Sequence, residues 1–400
     1  MSQDVKALES KYVVQTYNRT PIVLVRGKGV RVYDEDGREY LDLLAGIGVG
    51  ALGHGHEGLT KAIAEQSREM IHCSNLFFHP LQGQVAERLS KLSGISRAFF
   101  CNSGAEAVEA CLKFARRYWF TKGDTGRTEI IAMEGAFHGR TYGALSVTWN
   151  HREPFAPLLP NITFVPVNDP AKLRAAVSEK TAAIILEPIQ GEGGVHPLTQ
   201  EFANAVNEVT AETGALLIAD EVQCGLGRTG YPFYFQKLGM KPDLVSVGKA
   251  LAGGVPMGAA LVKENVGAAL SFGDHGTTFG GNLLACRAAL VCLDAITSTL
   301  IDHVKKVGAH LEMQLRALKA KHSAIVEIRG AGLMWGLELN MDAAAVHEAA
   351  IRQGVLVNRT AGKVIRLLPP LMITEADLDR ALGLLDAAFS EVLAGAGVAN

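Results

Sequence analysis

The sequence predicts an α/β protein in which a large domain with a mostly parallel central sheet is joined by a smaller α+β domain. Between about residues 57 and 290, short apolar runs alternate with stretches of helical pattern. These runs lack strict alternation of apolar and polar residues, which is typical of strands buried on both faces of a parallel sheet. The chain of 400 residues is also longer than one hydrophobic core usually spans, so we expect two domains.

The chain divides into three segments. Residues 1–56 contain two apolar stretches around Asp36-Gly37, a turn signal that predicts a hairpin, and we assign them to the small domain. Residues 291–400 form the rest of that domain, with a predicted strand at 333–339 and a last helix capped by Thr374. Residues 57–290 form the large domain, whose predicted strands are RAFF (97–100), EIIAM (129–133), ITFVPV (162–167), AAIILEP (182–188), ALLIAD (215–220), DLVSV (243–247) and GAALV (258–262).

Composition argues against several classes of protein. The formal net charge is −2 and Lys and Arg form no block, so we expect neither a nucleic-acid nor a membrane partner. The six cysteines show no Cys-x-x-Cys spacing, which indicates neither a zinc site nor a disulfide framework. The first residues lack the basic and apolar regions of a secretory leader, and we expect a soluble, cytoplasmic protein without a bound metal.

Two kinds of motif in the sequence could indicate nucleotide binding, but each lacks the second motif that such a site requires. The run ALLIADE resembles a Walker B strand, but none of the three Gly-Lys pairs is followed by the Ser or Thr of a P-loop. Two stretches, 48–53 and 225–230, match G-x-G-x-x-G. The second opens no long helix, and the first is followed by no strand that ends in an acid at the required distance. We interpret both as tight turns.

Three features after predicted strands point to one cofactor. Lys249 follows a buried strand, where loss of solvent lowers the pKa of an amine and lets it form a Schiff base. Ser103 precedes a helix whose free N–H groups can bind an anion. Asp220 ends another strand and can keep a pyridine nitrogen protonated, whereas Glu221 points to the opposite face. Alone, Ser103 could be an ordinary helix cap and Lys249 an ion-paired lysine, but together they predict pyridoxal 5′-phosphate (PLP).

Eight ordered blocks carry a resemblance to a known family. The chain resembles the class III (subgroup II) aminotransferases, PLP-dependent transferases of the aspartate-aminotransferase-like fold type I, and within them it is most similar to the acetylornithine aminotransferases. Cys224 stands where the family commonly has Thr or Ser. The blocks are GIGVGALGH (46–54), NSGAEA (102–107), AFHGRT (136–141), EPIQGEGG (187–194), ADEVQCGLGRTG (219–230), GKALAGG (248–254), HGTTFGGN (275–282) and VIRLLPP (364–370).

The resemblance implies roles for residues around the cofactor. Lys249 and Asp220 are the implied catalytic residues, and Gln223 is implied to bond the ring hydroxyl while Phe137 stacks on the ring. The implied phosphate ligands are Ser103, Gly104 and Ala105, together with Thr278 from the other subunit of a homodimer whose active site lies at the interface.

The resemblance also implies the substrates. Arg140 and Arg366 would bind carboxylates through their planar guanidinium groups, and Thr277 belongs to the same set. Glu192 would pair with Arg366 for an amine-bearing substrate and move away for glutamate. The implied reaction transfers the ω-amino group of N2-acetylornithine to 2-oxoglutarate in arginine biosynthesis, with succinyl-diaminopimelate as a further donor. The alternatives are succinylornithine, ornithine or 4-aminobutyrate aminotransferases and, from another class, aminomutases or racemases.

Overall fold

All seven predicted strands of the large domain lie in one sheet of the computed structural model, which describes residues 4–396. From one edge to the other, the order of the strands is β4 (Arg97–Cys101), β12 (Gly258–Val262), β11 (Leu244–Val247), β10 (Leu216–Asp220), β7 (Thr181–Leu186), β5 (Glu129–Met133) and β6 (Ile162–Val165). Only β12 runs antiparallel to its neighbours. The N-terminal part contains α1 (Val5–Tyr12), β1 (Leu24–Lys28), β2 (Arg31–Asp34), β3 (Glu39–Asp42) and the single turn α2 (Ala45–Gly48). The central part of the chain contains α3 (Glu57–Glu69), α4 (Gln82–Ser93), β4 (Arg97–Cys101), α5 (Gly104–Thr121), β5 (Glu129–Met133), α6 (Tyr142–Ser146), β6 (Ile162–Val165), α7 (Pro170–Ala176), β7 (Thr181–Leu186), β8 (Ile189–Gln190), β9 (His196–Pro197), α8 (Gln200–Thr213), β10 (Leu216–Asp220), α9 (Tyr234–Lys237), β11 (Leu244–Val247), β12 (Gly258–Val262), α10 (Glu264–Gly267) and α11 (Leu283–Ala295).

The central strands are apolar because both faces of the sheet are covered. Every residue of β7, β10, β11 and β12 is buried. The helix α5 packs on one face with Val108, Cys111 and Phe114. Burial on both faces removes the need for alternation, which is why these strands read as continuous apolar runs.

The C-terminal part forms a second, four-stranded antiparallel sheet in the order β13 (Ile325–Ala331), β14 (Met334–Leu339), β17 (Val364–Leu367) and β16 (Asn358–Thr360). The hairpin expected near the N-terminus is also present, and its strand β3 pairs with β15 (Val355–Leu356). Residue 290 lies within α11, so the proposed boundary crosses a helix and the division at 56 and 290 stays a prediction. The elements are α12 (Ile301–Lys321), β13 (Ile325–Ala331), β14 (Met334–Leu339), α13 (Ala344–Gln353), β15 (Val355–Leu356), β16 (Asn358–Thr360), β17 (Val364–Leu367) and α14 (Glu375–Ala396).

One long apolar helix connects the two parts. Within residues 4–396, the continuous helix Leu283–Lys321 is long and apolar enough to cross a bilayer, with a mean hydropathy of 1.7 in its most apolar window. A wide turn at Ile296–Leu300 joins α11 to α12 within it. Half of the apolar window is buried, and α11 packs on α3 and α4. The apolar residues of this helix therefore contribute to the protein core.

Candidate active site

A cavity of about 280 Å³ opens where the large sheet ends. Five strands that run in the same direction, β4, β5, β7, β10 and β11, end beside it, and such edges are where α/β sheets bind ligands. Four expected residues, Ser103, Thr277, Thr278 and Arg366, are not among its lining residues. Ser103 directly precedes the lining residue Gly104, and Arg366 contacts the lining residues Glu192 and Gln223. The cavity brings together most of the residues expected in the site: Gly104, Ala105, Phe137, Arg140, Glu192, Asp220, Gln223 and Lys249.

Lys249 lies in a strained backbone position at the end of β11. Its φ is 39°, in the left-handed region that residues other than glycine rarely adopt. Such strain persists only where the surrounding structure enforces it, and it concentrates at functional sites. Loss of solvent in the cavity and the positive charge of Arg366 lower the pKa of the Lys249 amine, although Glu192, Glu187 and Asp220 act in the opposite direction. Lys249 is therefore more readily neutral than a surface lysine.

Asp220 is held at the end of β10 by three donors. Its Oδ1 accepts from the Ser246 hydroxyl at 2.9 Å and from the Val222 N–H at 3.1 Å. Its Oδ2 accepts from Nδ1 of His138 at 2.7 Å, and both side chains are buried. A carboxylate offers about four acceptor positions, so one is left for a donor in the cavity.

The sequence reasoning missed His138 and Glu187. The Nε2 atom of His138 has no hydrogen-bond partner among the described residues. Glu187 accepts from the N–H groups of Phe137 and Gly191, both at 2.9 Å, and burial raises its pKa to about 7. Glu187 could have been found, because it follows a buried strand as Asp220 does. His138 carried no such signal, because its partner is 82 residues away in the chain.

The expected anion site is the first turn of α5. Ser103 caps this helix, and its hydroxyl accepts from the Glu106 N–H at 3.2 Å. A Cβ atom on Gly104 would lie 2.6 Å from Cγ1 of Val222, and one on Gly248 would lie 3.1 Å from Gly104. No side chain fits in these turns, so the backbone N–H groups at the helix start stay accessible.

Arg366 is a fully buried cation with a nearby carboxylate. Its Nη1 donates to Oε1 of Glu192 at 2.7 Å and to Oε1 of Gln223 at 3.1 Å, and its Nη2 donates to Oδ1 of Asn358. Burial opposes ionisation of Glu192, but the charge of Arg366 and its hydrogen bond hold the pKa of Glu192 below its usual value. Arg140 also lines the cavity but is exposed. Within residues 4–396, no carboxylate forms a salt bridge with Arg140, whereas Arg366 already has Glu192 as a counter-ion.

Glu221 faces away from the cavity. It is buried, it accepts from the Phe235 N–H at 2.7 Å and from the Cys224 thiol at 3.1 Å, and burial raises its pKa to about 7. The two adjacent acids therefore have different surroundings, with Asp220 in the cavity and Glu221 in a hydrogen-bonded turn.

The lowered pKa of Lys249 predicts selective reaction with aldehydes. In protein without cofactor, formaldehyde and cyanoborohydride at about pH 8 should modify Lys249 before the exposed Lys61 and Lys122, because only the neutral amine reacts. Peptide mass spectrometry against pH measures this order, and the midpoint for Lys249 should lie at lower pH. Modification of Lys249 at the same pH as Lys61 would contradict the assignment.

The Asp220–His138 contact predicts a positioning role for the histidine. His138→Leu should slow turnover of the holoenzyme by about 10- to 100-fold, since a hydrogen bond to a charged group contributes about 1.5–3 kcal/mol. His138→Asn keeps a donor and should retain more activity. His310→Leu removes an exposed His–Asp pair elsewhere and serves as the control. Equal rates for His138→Leu and the control would refute this role.

Comparisons with known proteins identify the family. Residues 12–389 match the family described as Aminotransferase class-III. The chain is 46% identical to the acetylornithine aminotransferase of Methanocaldococcus jannaschii over 96% of this chain and 98% of that one. It is 44% identical to the mitochondrial acetylornithine aminotransferase of Alnus glutinosa over 96% and 87% of the two chains.

Solved structures give the same result. The fold resembles ornithine aminotransferase from Toxoplasma gondii ME49 with a TM-score of 0.93 and 32% identity, over 98% of this chain and 95% of that one. It also resembles a PLP-bound amine transaminase from an uncultivated Pseudomonas species with a TM-score of 0.88 and 31% identity, over 95% and 97% of the chains. The expected fold and enzyme class are confirmed, and the chain belongs to the class-III aminotransferase family.

Proposed function

We propose that the protein is a PLP-dependent acetylornithine aminotransferase. It transfers the ω-amino group of N2-acetyl-L-ornithine to 2-oxoglutarate and forms N-acetylglutamate 5-semialdehyde and glutamate, a step of arginine biosynthesis. The observation that carries the donor assignment is the 46% identity, over nearly the full length of both chains, to a relative of that name. The cytoplasm is the proposed location. Succinyl-diaminopimelate remains a proposed second donor.

The residues of the cavity fit the cofactor. Lys249 supplies an amine for the aldehyde, Asp220 has an acceptor position left for the ring nitrogen, and the start of α5 offers N–H groups for the phosphate. Phe137 supplies an aromatic ring beside them, and Gln223 is the proposed partner of the ring hydroxyl. When bound, PLP supplies an electron sink that stabilises negative charge on the substrate carbon bearing the nitrogen.

The protein residues then perform the proton transfers. The Lys249 amine, when neutral, would accept the proton from the substrate carbon that bears the nitrogen and could then give it up again, a role that its lowered pKa favours. Asp220 holds a proton on the ring nitrogen, and His138 and Ser246 keep its carboxylate in place. Asp220, His138 and Ser246 are buried, whereas Lys249 is only partly buried and faces the cavity.

Two unlike substrates must share this cavity, and the Arg366–Glu192 pair offers a means. With the amine donor bound, Glu192 stays at 2.7 Å from Arg366 and no charge is left unpaired. With 2-oxoglutarate, the second carboxylate takes the place of Glu192, whose side chain is about one-third exposed and free to turn outward. Arg140 binds the carboxylate that both substrates share.

Ornithine is the second candidate donor, favoured by the likeness to ornithine aminotransferase at a TM-score of 0.93. The decisive experiment measures kcat/KM for acetylornithine, ornithine, succinylornithine and 4-aminobutyrate with 2-oxoglutarate as acceptor. We expect acetylornithine to be preferred, with no turnover in a Lys249→Ala control. A preference for another donor would refute the narrow assignment, and reaction without glutamate formation would favour an isomerase.

An exposed apolar surface supports the proposed homodimer. We define the apolar face as residues 70–79 and 272–279, where Leu76, Phe78 and Phe272 are almost completely exposed. Thr278 lies in the second segment and is itself exposed, while the neighbouring Thr277 accepts from the Asn102 side chain at 3.2 Å. Contiguous large apolar groups in water mark interaction sites. A second copy that covers this face would receive Thr278 at its own phosphate site.

Charges on the apolar face should separate the subunits. Phe78→Asp combined with Phe272→Asp should give a monomer by analytical ultracentrifugation and should lose PLP affinity and activity, because the partner's phosphate contact is gone. Met313→Asp replaces an exposed apolar residue on α12 and serves as the control. A double variant that remains a dimer, or a fully active monomer, would count against this interface.

A further inference from the structure

The Arg366 guanidinium needs support that does not come from Glu192. Arg366 has no exposed surface, and a buried cation that loses its counter-ion is costly unless other groups bind its N–H donors. In the proposed reaction Glu192 leaves whenever 2-oxoglutarate binds. The groups that then hold the guanidinium are Asn358 on Nη2 and Gln223 on Nη1.

Asn358 is placed for this contact by the pairing of β16 with β17. In that antiparallel pair Asn358 lies directly opposite Arg366, so their side chains emerge side by side on one face. Only eight positions separate the two residues in the chain, and a short strand and turn keep their distance fixed. Asn358 therefore contacts the guanidinium without any reorganisation of the fold.

Thr360 lies on β16, like Asn358, and holds the backbone of Glu192, the carboxylate partner of Arg366. Residues two apart on a strand share a face, and the Thr360 hydroxyl donates to the carbonyl oxygen of Glu192 at 2.6 Å. A second contact from the small sheet, Arg329 Nε to the Gly194 carbonyl at 2.9 Å, holds the same loop. The backbone of Glu192 is thus tied down, and exchange of partners is confined to its side chain.

Both supports of Arg366 other than Glu192 are neutral. The amide oxygens of Gln223 and Asn358 each accept from one guanidinium N–H group but leave the positive charge uncompensated. A carboxylate at either place would neutralise Arg366 permanently and compete with the second carboxylate of an incoming substrate. With an amide at both places, the positive charge of Arg366 is available to a substrate carboxylate only while the side chain of Glu192 is turned away.

We propose that Asn358 is a positioning residue that determines specificity for dicarboxylates: its neutral oxygen holds Arg366 in place while the charge remains free for the distal carboxylate of 2-oxoglutarate. This inference rests on the proposed function. According to this inference, the half-reaction with 2-oxoglutarate depends on Asn358, although this residue does not touch the substrate. The amine-donor half, in which Glu192 pairs with Arg366, depends on it much less.

The test replaces the amide by a carboxylate of nearly the same shape. Asn358→Asp should weaken binding of glutarate, an unreactive five-carbon dicarboxylate, to the holoenzyme by tenfold or more by calorimetry, on the order expected for a competing ion pair. The acceptor half-reaction should lose at least as much in kcat/KM. The amine-donor half-reaction should change by no more than about threefold, because Glu192 and the new carboxylate both favour the paired state. Asn340→Asp, at an exposed position after β14, changes the net charge equally and is the matched control.

A second variant tests the same inference if Asn358→Asp does not fold. If circular dichroism shows Asn358→Asp to be unfolded, Asn358→Ala decides, and it should weaken glutarate binding about tenfold with the donor half-reaction retained, since one hydrogen bond to a charged group is lost. Glutarate affinity equal to that of Asn340→Asp, or equal losses in both half-reactions, would overturn the inference. Absence of amine transfer from acetylornithine in the unsubstituted enzyme would instead overturn the proposed function, and glutarate binding would still test Asn358.

Discussion

The buried carboxylate of Asp220 is the group on which the arrangement of the site depends. It ends β10, and its donors come from β11 through Ser246, from the turn that follows through Val222, and from the loop after β5 through His138. A buried carboxylate is tolerated only when its oxygens are satisfied, so these contacts fix the relative positions of the three segments. Glu187 extends the same arrangement, because it binds the backbone of both Phe137 and Gly191. The loops that surround the cofactor are therefore tied together before any ligand enters.

The opposite end of the cavity is organised around a cation. Arg366 comes from the small sheet, while Glu192 and Gln223 come from loops of the large domain. Burial lowers the pKa of Lys249, and the positive charge of Arg366 lowers it further, whereas Glu192 acts in the opposite direction. A single guanidinium thus influences both the nucleophile and the choice of substrate. Any change that displaces Arg366 should affect both proton transfer and recognition.

Sequence reasoning succeeded where chemistry is encoded locally. Asp220 is the last residue of one buried strand and Lys249 lies two positions after the end of another, and because parallel strands end at one edge, their proximity could be predicted. The contacts that hold Asp220 and Arg366 in place leave no local pattern in the sequence. His138 reaches Asp220 across 82 positions, and Asn358 reaches Arg366 through strand register that no apolar pattern reveals. Thr277 and Thr278 could be placed only through a resemblance, because their proposed partner is a second chain. The strain at Lys249 also has no signature in the sequence, since lysine is not a residue that favours a positive φ.

The position of Asp220 in the cavity leads us to expect that its carboxylate accepts from the ring nitrogen of the cofactor and keeps that nitrogen protonated. The most direct measurement is the ¹⁵N chemical shift of that nitrogen in enzyme loaded with ¹⁵N-labelled PLP, followed over the pH range in which the protein stays folded. We expect the chemical shift of a protonated pyridine nitrogen throughout that range, and the loss of that shift in Asp220→Asn. A ring nitrogen that is unprotonated in the unsubstituted enzyme, or that titrates as in the free cofactor, would contradict it.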